Sequence, residues 1–174
     1  MSARGFGAAL TVLVLAAGTV GAQPAKPDDA QIAHIAYTAG DIDIKAAQQA
    51  LKKSRNRKVR EFAQDMVRDH TAVNKQAVAL VQKLHVTPQD NPTSQALVKQ
   101  ASDKRRELSQ LRGAAFDRAY AQNEVAYHQT VNNALQTTLI PSASNPELKS
   151  LLETGLKIFQ GHEQHAEQVV ADLK

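Results

Sequence analysis

The sequence predicts an all-α protein, a bundle of four long helices with one long crossover between the second and the third. Three observations carry that expectation. Ala, Gln, Lys and Leu are abundant, Trp is absent, and the 8 Gly and 6 Pro of 174 residues gather at a few places, which is the profile of a helical chain. Four stretches repeat apolar residues at spacings of three and four, and no alternating strand pattern competes. Between the second and third stretches lie about 25 residues, enough to travel back along a bundle at ~1.5 Å per helical residue. An up-and-down bundle needs only short loops, so the long connection points to a ferritin-like topology.

The first 27 residues are set apart from the fold. Met1–Arg4 is a short basic start, and Ala8–Ala17 is an apolar run through Leu10, Val12, Leu13, Val14 and Leu15. Val20-Gly21-Ala22 fits a small-residue cleavage site. Residues 1–22 are therefore expected to be a signal peptide and 23–27 a linker, with one helical domain over 28–174. The apolar run is too short for a comfortable membrane span. Export is the expectation, to a bacterial periplasm, with no stable membrane insertion after cleavage. The chain has no Cys, which removes disulfides, thiolate metal sites, a cysteine nucleophile and a lipidated cysteine.

The first helix is expected from a cap at Asp28 or Asp29 to Lys53, with the stripe Ile32, Ile35, Ala36, Ala39, Ile42, Ala46, Ala47 and Ala50. Its many alanines predict close helix contact. Ser54 or Asn56 opens the second helix, whose stripe is Val59, Phe62, Ala63, Met66, His70, Val73, Ala77, Leu80, Val81 and Leu84. Pro88 and Pro92 follow its end. Residues 93–111 predict a shorter, polar crossover helix, closed by Gly113. The third long helix runs from Ala114 to Leu139 through Phe116, Tyr120, Glu124, His128, Val131 and Leu135. Ile140–Ser144 is expected to be a loop. Asn145, Pro146 and Glu147 then supply a cap, a first-turn proline and a first-turn acid for the last helix.

Charge excludes little. The formal net charge is +4. The densest basic run, Lys52 to Lys58, falls at a helix junction and reads as a solvated turn. Nucleic-acid binding is not expected, because no basic residues interleave with aromatics and no known module is present. No nucleophile elbow or phosphate loop occurs either. Protein partners are unspecified, and an oligomer remains compatible with the chain.

The informative feature is a fault in the greasy stripes. Asp43, His70, Glu124 with His128, and His162 stand where Leu or Ala is expected. Burying an unpaired charge costs several kcal/mol, so a breach in every long helix needs a reason. Helical rise places Asp43 and His70 about 15–21 Å from the first turn, and Glu124 and His162 about 22–24 Å from the last one, in helices about 39 Å long. All fall near mid-height. Glu124 and His128 are one turn apart on one face, a chelating spacing. These five residues are the candidate metal ligands, with Asp69 and His165 as weaker candidates. Imidazole and carboxylate without thiolate suit zinc, copper, nickel or iron. A carboxylate-rich di-iron ferroxidase is disfavoured because the chain has no Glu-x-x-His. The alternative is a metal-free structural or interaction module, in which Asp43–His70 and Glu124–His162 are inert buried pairs. A redox enzyme working on peroxide or oxygen is a third reading, and no reaction is assignable.

Two stretches carry a family resemblance: Val59-Arg-Glu-Phe-Ala-Gln-Asp-Met-Val-Arg-Asp-His70-Thr with Asn74 following, and Gly113-Ala-Ala-Phe-Asp-Arg-Ala-Tyr120 with His128 eight residues on. With Leu148 through His162, they resemble the domain of unknown function 4142 family over essentially the whole mature chain. The resemblance implies an exported bacterial protein with a ferritin-like bundle, and it supplies no reaction. It also implies that Asp69, His70, Asp117, Tyr120, His128 and His162 occupy recurrent polar positions. Where this chain has Asp43, the family more commonly has the longer acid, glutamate.

Overall fold

The computed structural model describes residues 26–173. The expected signal peptide and most of the linker lie outside the described residues. Five long helices account for the rest: α1 Asp29–Lys53, α2 Arg57–Lys83, α3 Pro92–Gln110, α4 Gly113–Ala134 and α5 Pro146–Asp172. Their starts follow from local chemistry. Asp28 and Gln31 form a reciprocal capping box on α1. Asn56, Asn91 and Asn145 each accept hydrogen bonds from the first free amides of α2, α3 and α5. Gly113 opens α4 with a φ of +55°, a conformation that costs glycine least.

One expected boundary is corrected. The first three residues of the expected loop are helical: α4 runs on through a π-helical turn, Leu135–Leu139, into a last helical turn, Ile140–Ser142, and only Ala143 and Ser144 are irregular. Pro141 has no N–H to give the carbonyl of Thr137, and its ring would crowd that oxygen in a regular helix. A widened turn just ahead of it absorbs the misfit, so the chain stays helical.

Side-chain contacts fix the directions of the helices. His34 meets Ser94, and Gln49 and Lys53 meet the carbonyls of Arg105 and Ser109. The crossover helix α3 thus runs parallel to α1, from its start to its end. Asp29 accepts from the amides of Ser144 and Asn145, while Lys58 pairs with Asp172. The start of α5 therefore lies beside the start of α1, and its end beside the start of α2. α1 packs mainly on α2, α4 on α5, and α2 on α5, while α3 lies along α1. No helix among the described residues is long and apolar enough to cross a membrane.

Two apolar clusters fill the interior. One, at the α1–α2 turn, holds Ala47, Val59, Phe62, Met66, Phe116, Tyr120 and Val169 among others. The second, at the other end, holds Ile32, Ile35, Leu135, Leu139, Leu148, Leu152 and Phe159. On each of α1, α2, α4 and α5 the polar breaches fall between the two. The predicted α2 stripe is fully buried only as far as His70 and Asn74; Val73, Ala77, Leu80, Val81 and Leu84 are half-buried. Val73 and Leu80 pack against the second apolar cluster, and Val73, Ala77 and Val81 line a cavity beside it.

Gly40 explains how closely α1 and α2 approach. A Cβ there would sit 2.4 Å from Oδ1 of the buried Asn74, whose amide donates to the Tyr37 carbonyl at 3.3 Å. Gly40→Ala gains up to about 1 kcal/mol of helix propensity and loses more to overpacking, typically ~1–3 kcal/mol. The expected net result is a lower denaturant midpoint. Adding Asn74→Ala removes the clash, so a double-mutant cycle should show a favourable coupling; simple additivity would contradict this account.

Candidate metal centre

Between the two apolar clusters α1 turns in Asp43, α2 His70, α4 Glu124 and His128, and α5 His162. All five are buried, and Asp43, Glu124 and His128 are each only 1% exposed. One nitrogen from each of His70, His128 and His162 lies within 4.8 Å of the others, and so does one ligand atom from each of Asp43, Glu124 and His128. His128 belongs to both sets, so the five side chains form one cluster.

The hydrogen bonds around the cluster decide which ring nitrogens carry protons. His128 Nδ1 is 2.9 Å from the Glu124 carbonyl. Only an N–H can donate to that oxygen, so Nε2 keeps the lone pair. His128 Nε2 is buried with no hydrogen-bond partner, 3.3 Å from Asp43 Oδ2. A lone pair facing a carboxylate is repulsive unless a positive charge sits between them. His162 repeats the arrangement with its nitrogens exchanged. Its Nε2–H donates to Asp69 Oδ2 at 3.0 Å, which leaves Nδ1 buried and unpartnered. His70 Nε2 comes within 3.2 Å of Asp43 Oδ2, off the line of a hydrogen bond, and both its nitrogens are unpartnered. Both Asp43 oxygens and Glu124 Oε2 complete the set of orphaned ligand atoms.

Electrostatics sorts the same groups. Burial, and then the charge of Asp43, holds the Glu124 carboxyl well above the usual carboxylate range, so it keeps its proton. Burial pushes Asp43 the same way, but the imidazoles of His70, His128 and His162 together outweigh it and hold Asp43 below its ordinary value. Burial lowers His128, and lowers His162 to about 4. His128 and His162 as neutral imidazoles, with Asp43 as the anion, are in forms that bind metal ions.

A supporting layer surrounds the cluster. Arg68 grips Asp69 through two hydrogen bonds, at 2.7 and 3.0 Å, and Asp69 in turn orients His162. A carboxylate that fixes the tautomer of a ligating histidine is the usual outer partner at metal sites. The Phe159 ring stacks on His70, with centroids 4.5 Å apart and planes within 8°. Tyr127 donates its hydroxyl to the Ala39 carbonyl.

The structure thus brings together Asp43, His70, Glu124, His128 and His162. Asp69 stands one shell out. His165 stands apart: it is exposed, packs edge-on against Phe62 at 5.1 Å, and lies 3.9 Å from Asp65. The expected inert pairing of Glu124 with His162 is corrected. His162 bonds to Asp69, while Asp43 is approached by His70 and His128 together. Asn132 and Asp117 escaped a reading of the residues alone, and the hydroxyl of Tyr120, expected on the core stripe, is buried as well. Asn132 donates to Glu163 at 2.7 Å, and Asp117 and Tyr120 each hold an unpartnered oxygen. Asn132 lies one turn beyond His128 and Tyr120 one turn before Glu124, with Asp117 a further turn back, so extending the polar stripe along α4 was the signal that would have found them.

These features define a helical-bundle protein whose middle is crossed by a buried histidine–carboxylate layer. The chain belongs to the family described as Domain of unknown function (DUF4142), which it matches over residues 15–169. No curated protein matches the chain. Among solved structures, CopM in the Cu(II)-bound form is similar in fold, with a TM-score of 0.65 over 86% of this chain and 100% of that chain, at 14% sequence identity.

The buried imidazoles make metal-free stability depend on pH. His162 falls from its ordinary 6.5 to about 4 in the folded protein, and His128 shifts the same way. Below 6.5 the unfolded chain takes up protons that the folded chain refuses. The stability His162 contributes is full above 6.5 and lost as pH falls through about 4, and His128 acts in the same direction. Glu124, raised by burial, works in the opposite direction, but it is one group against two. The denaturation midpoint of metal-free protein should therefore rise from pH 4 to pH 6.5. A midpoint that is flat or falling across that window would show that the imidazoles are not held neutral.

Proposed function

We propose that this protein binds one divalent metal ion at the centre of a ferritin-like four-helix bundle, and that it handles metal or protects against metal stress outside the cytoplasm. One observation carries the reading. His70, His128, His162, Asp43 and Glu124 place buried, unpartnered ligand atoms together from four helices. Asp69 serves as outer partner, and the exposed His165 is left out of the site. The parallel run of α3 along α1 supports the bundle topology, and the Ala8–Ala17 run with Val20-Gly21-Ala22 supports export. Fold likeness to a protein solved with Cu(II) supports the choice of ligand class.

Several neutral imidazoles with a carboxylate and no thiolate suit copper(II), nickel or zinc, and the Irving–Williams order puts copper(II) first. Such an ion would supply positive charge between groups that otherwise face each other lone pair to lone pair. This chain's own residues would hold it: His128 through Nε2, His162 through Nδ1, His70, and the carboxylates of Asp43 and Glu124. Binding would displace the Glu124 proton if that acid becomes a ligand.

Protein purified without a histidine tag should hold or take up about one equivalent of copper(II), by elemental analysis and titration, with a raised melting temperature. His128→Leu and His162→Leu should abolish that uptake and shift. Asp69→Asn should weaken metal affinity by about 10- to 100-fold and leave the bundle folded. The metal-free module makes the opposite forecast: no stoichiometric metal in any preparation, and stability kept or raised by His70→Leu and His162→Leu. That outcome would replace the metal reading.

A further inference from the structure

The second apolar cluster is incomplete. Beyond the histidine layer, α1, α2, α4 and α5 line a partly open cavity of about 640 Å³, within the usual range for small-molecule sites. The four helices face it with small side chains: Ala36, Ala39, Ala77, Ala134 and Gly155. The π-helical turn of α4 forms part of its wall through Leu135, Thr138 and Leu139, and such turns gather at functional sites. Along α5 the lining runs from Leu148 to Phe159, a length of ~16 Å.

Lys26, the one charged residue of the lining, stands at one end, while Asn74, Thr130 and Thr138 add neutral polar groups along the wall. Lys26 and Thr93 line the cavity and are exposed, with Gln31 beside them. Thr93 lies in the first turn of α3, whose dipole is positive there. A lysine and a helix N-terminus at the rim of a long greasy hollow match an anionic head on an apolar chain. We propose that the cavity binds one free fatty acid, with its acyl chain between the helices and its carboxylate at the Lys26 end. The site does not depend on a bound metal, although Phe159 both lines it and stacks on His70 of the histidine cluster.

The test is a titration of the full chain with the fluorescent acid cis-parinaric acid, followed by displacement with saturated acids of 10, 12, 14 and 16 carbons. One saturable site is expected. Each added methylene should tighten binding about fourfold until the chain fills the cavity, where the gain should stop. Ala77→Phe and Ala134→Leu, with melting curves to confirm folding, should each weaken binding at least tenfold. Lys26→Gln should weaken palmitate several-fold and leave hexadecanol unchanged. Unsaturable binding, or binding indifferent to both filling variants, would overturn the proposal, and the chain-length series decides without any variant. Phosphatidylglycerol vesicles displacing the probe as well as palmitate would make the occupant a membrane lipid, contrary to the proposal. A full chain that binds no probe, beside a chain starting at Gln23 that binds it, would show residues 1–22 filling the space and overturn an external occupant.

Discussion

The contact between Asp43 and the nitrogens of His70 and His128 governs this structure. A carboxylate 1% exposed, at 3.2 and 3.3 Å from two imidazole nitrogens and hydrogen-bonded to neither, is stable only with positive charge nearby. That charge can be a proton shared within the cluster or a cation held by it. In either case the helices must keep five side chains level. The alanines of α1 and the close approach at Gly40 hold α1 against α2, and Asp69 with Arg68 stops the His162 ring from turning. The polar layer is thus a register device as well as a candidate ligand set. A slide of any helix by one turn would bury a lone charge in one of the apolar clusters.

The tautomers separate a metal-ready cluster from a set of inert pairs. In an inert pair each imidazole N–H points at its carboxylate, and the pair is closed. His162 does this outward, toward Asp69, and His128 does it along its own helix, toward the Glu124 carbonyl. Both therefore present bare nitrogens to the centre. The outer hydrogen bonds of these two rings thus turn their remaining nitrogens toward Asp43 and the cluster centre. Glu124, kept protonated by burial and by Asp43, is the group that would respond when positive charge arrives.

Helix number, caps and crossover were legible in the sequence because each rests on local chemistry: asparagine caps, prolines and a period of three and four. The layer was legible because helical rise converts residue number into height. Rise says nothing of which way a ring turns. The Glu124–His162 pair of the metal-free alternative therefore fails, because the ring turns to Asp69 on the neighbouring helix flank. The end of α4 was misread because Pro141 normally stops a helix, and only a π turn, which has no sequence signature, lets the chain pass it. Asp117 and Tyr120 stood out only through the family resemblance, since one polar atom on a core stripe is ordinary.

The two halves of the bundle solve different packing problems. Around the α1–α2 turn, Phe62, Met66, Phe116 and Tyr120 are all completely buried, and the Tyr120 ring packs against both phenylalanines. Toward the other end the same four helices carry alanine and glycine at facing positions, and the space is not closed. Stability alone would favour leucine there, because a filled cavity gains both transfer and packing energy. Phe159 is the partition: it lines the hollow on one face and stacks on His70 with the other. Filling or emptying the hollow therefore bears directly on a ring of the histidine layer, and the small residues of the far half place that layer within reach of whatever occupies the space.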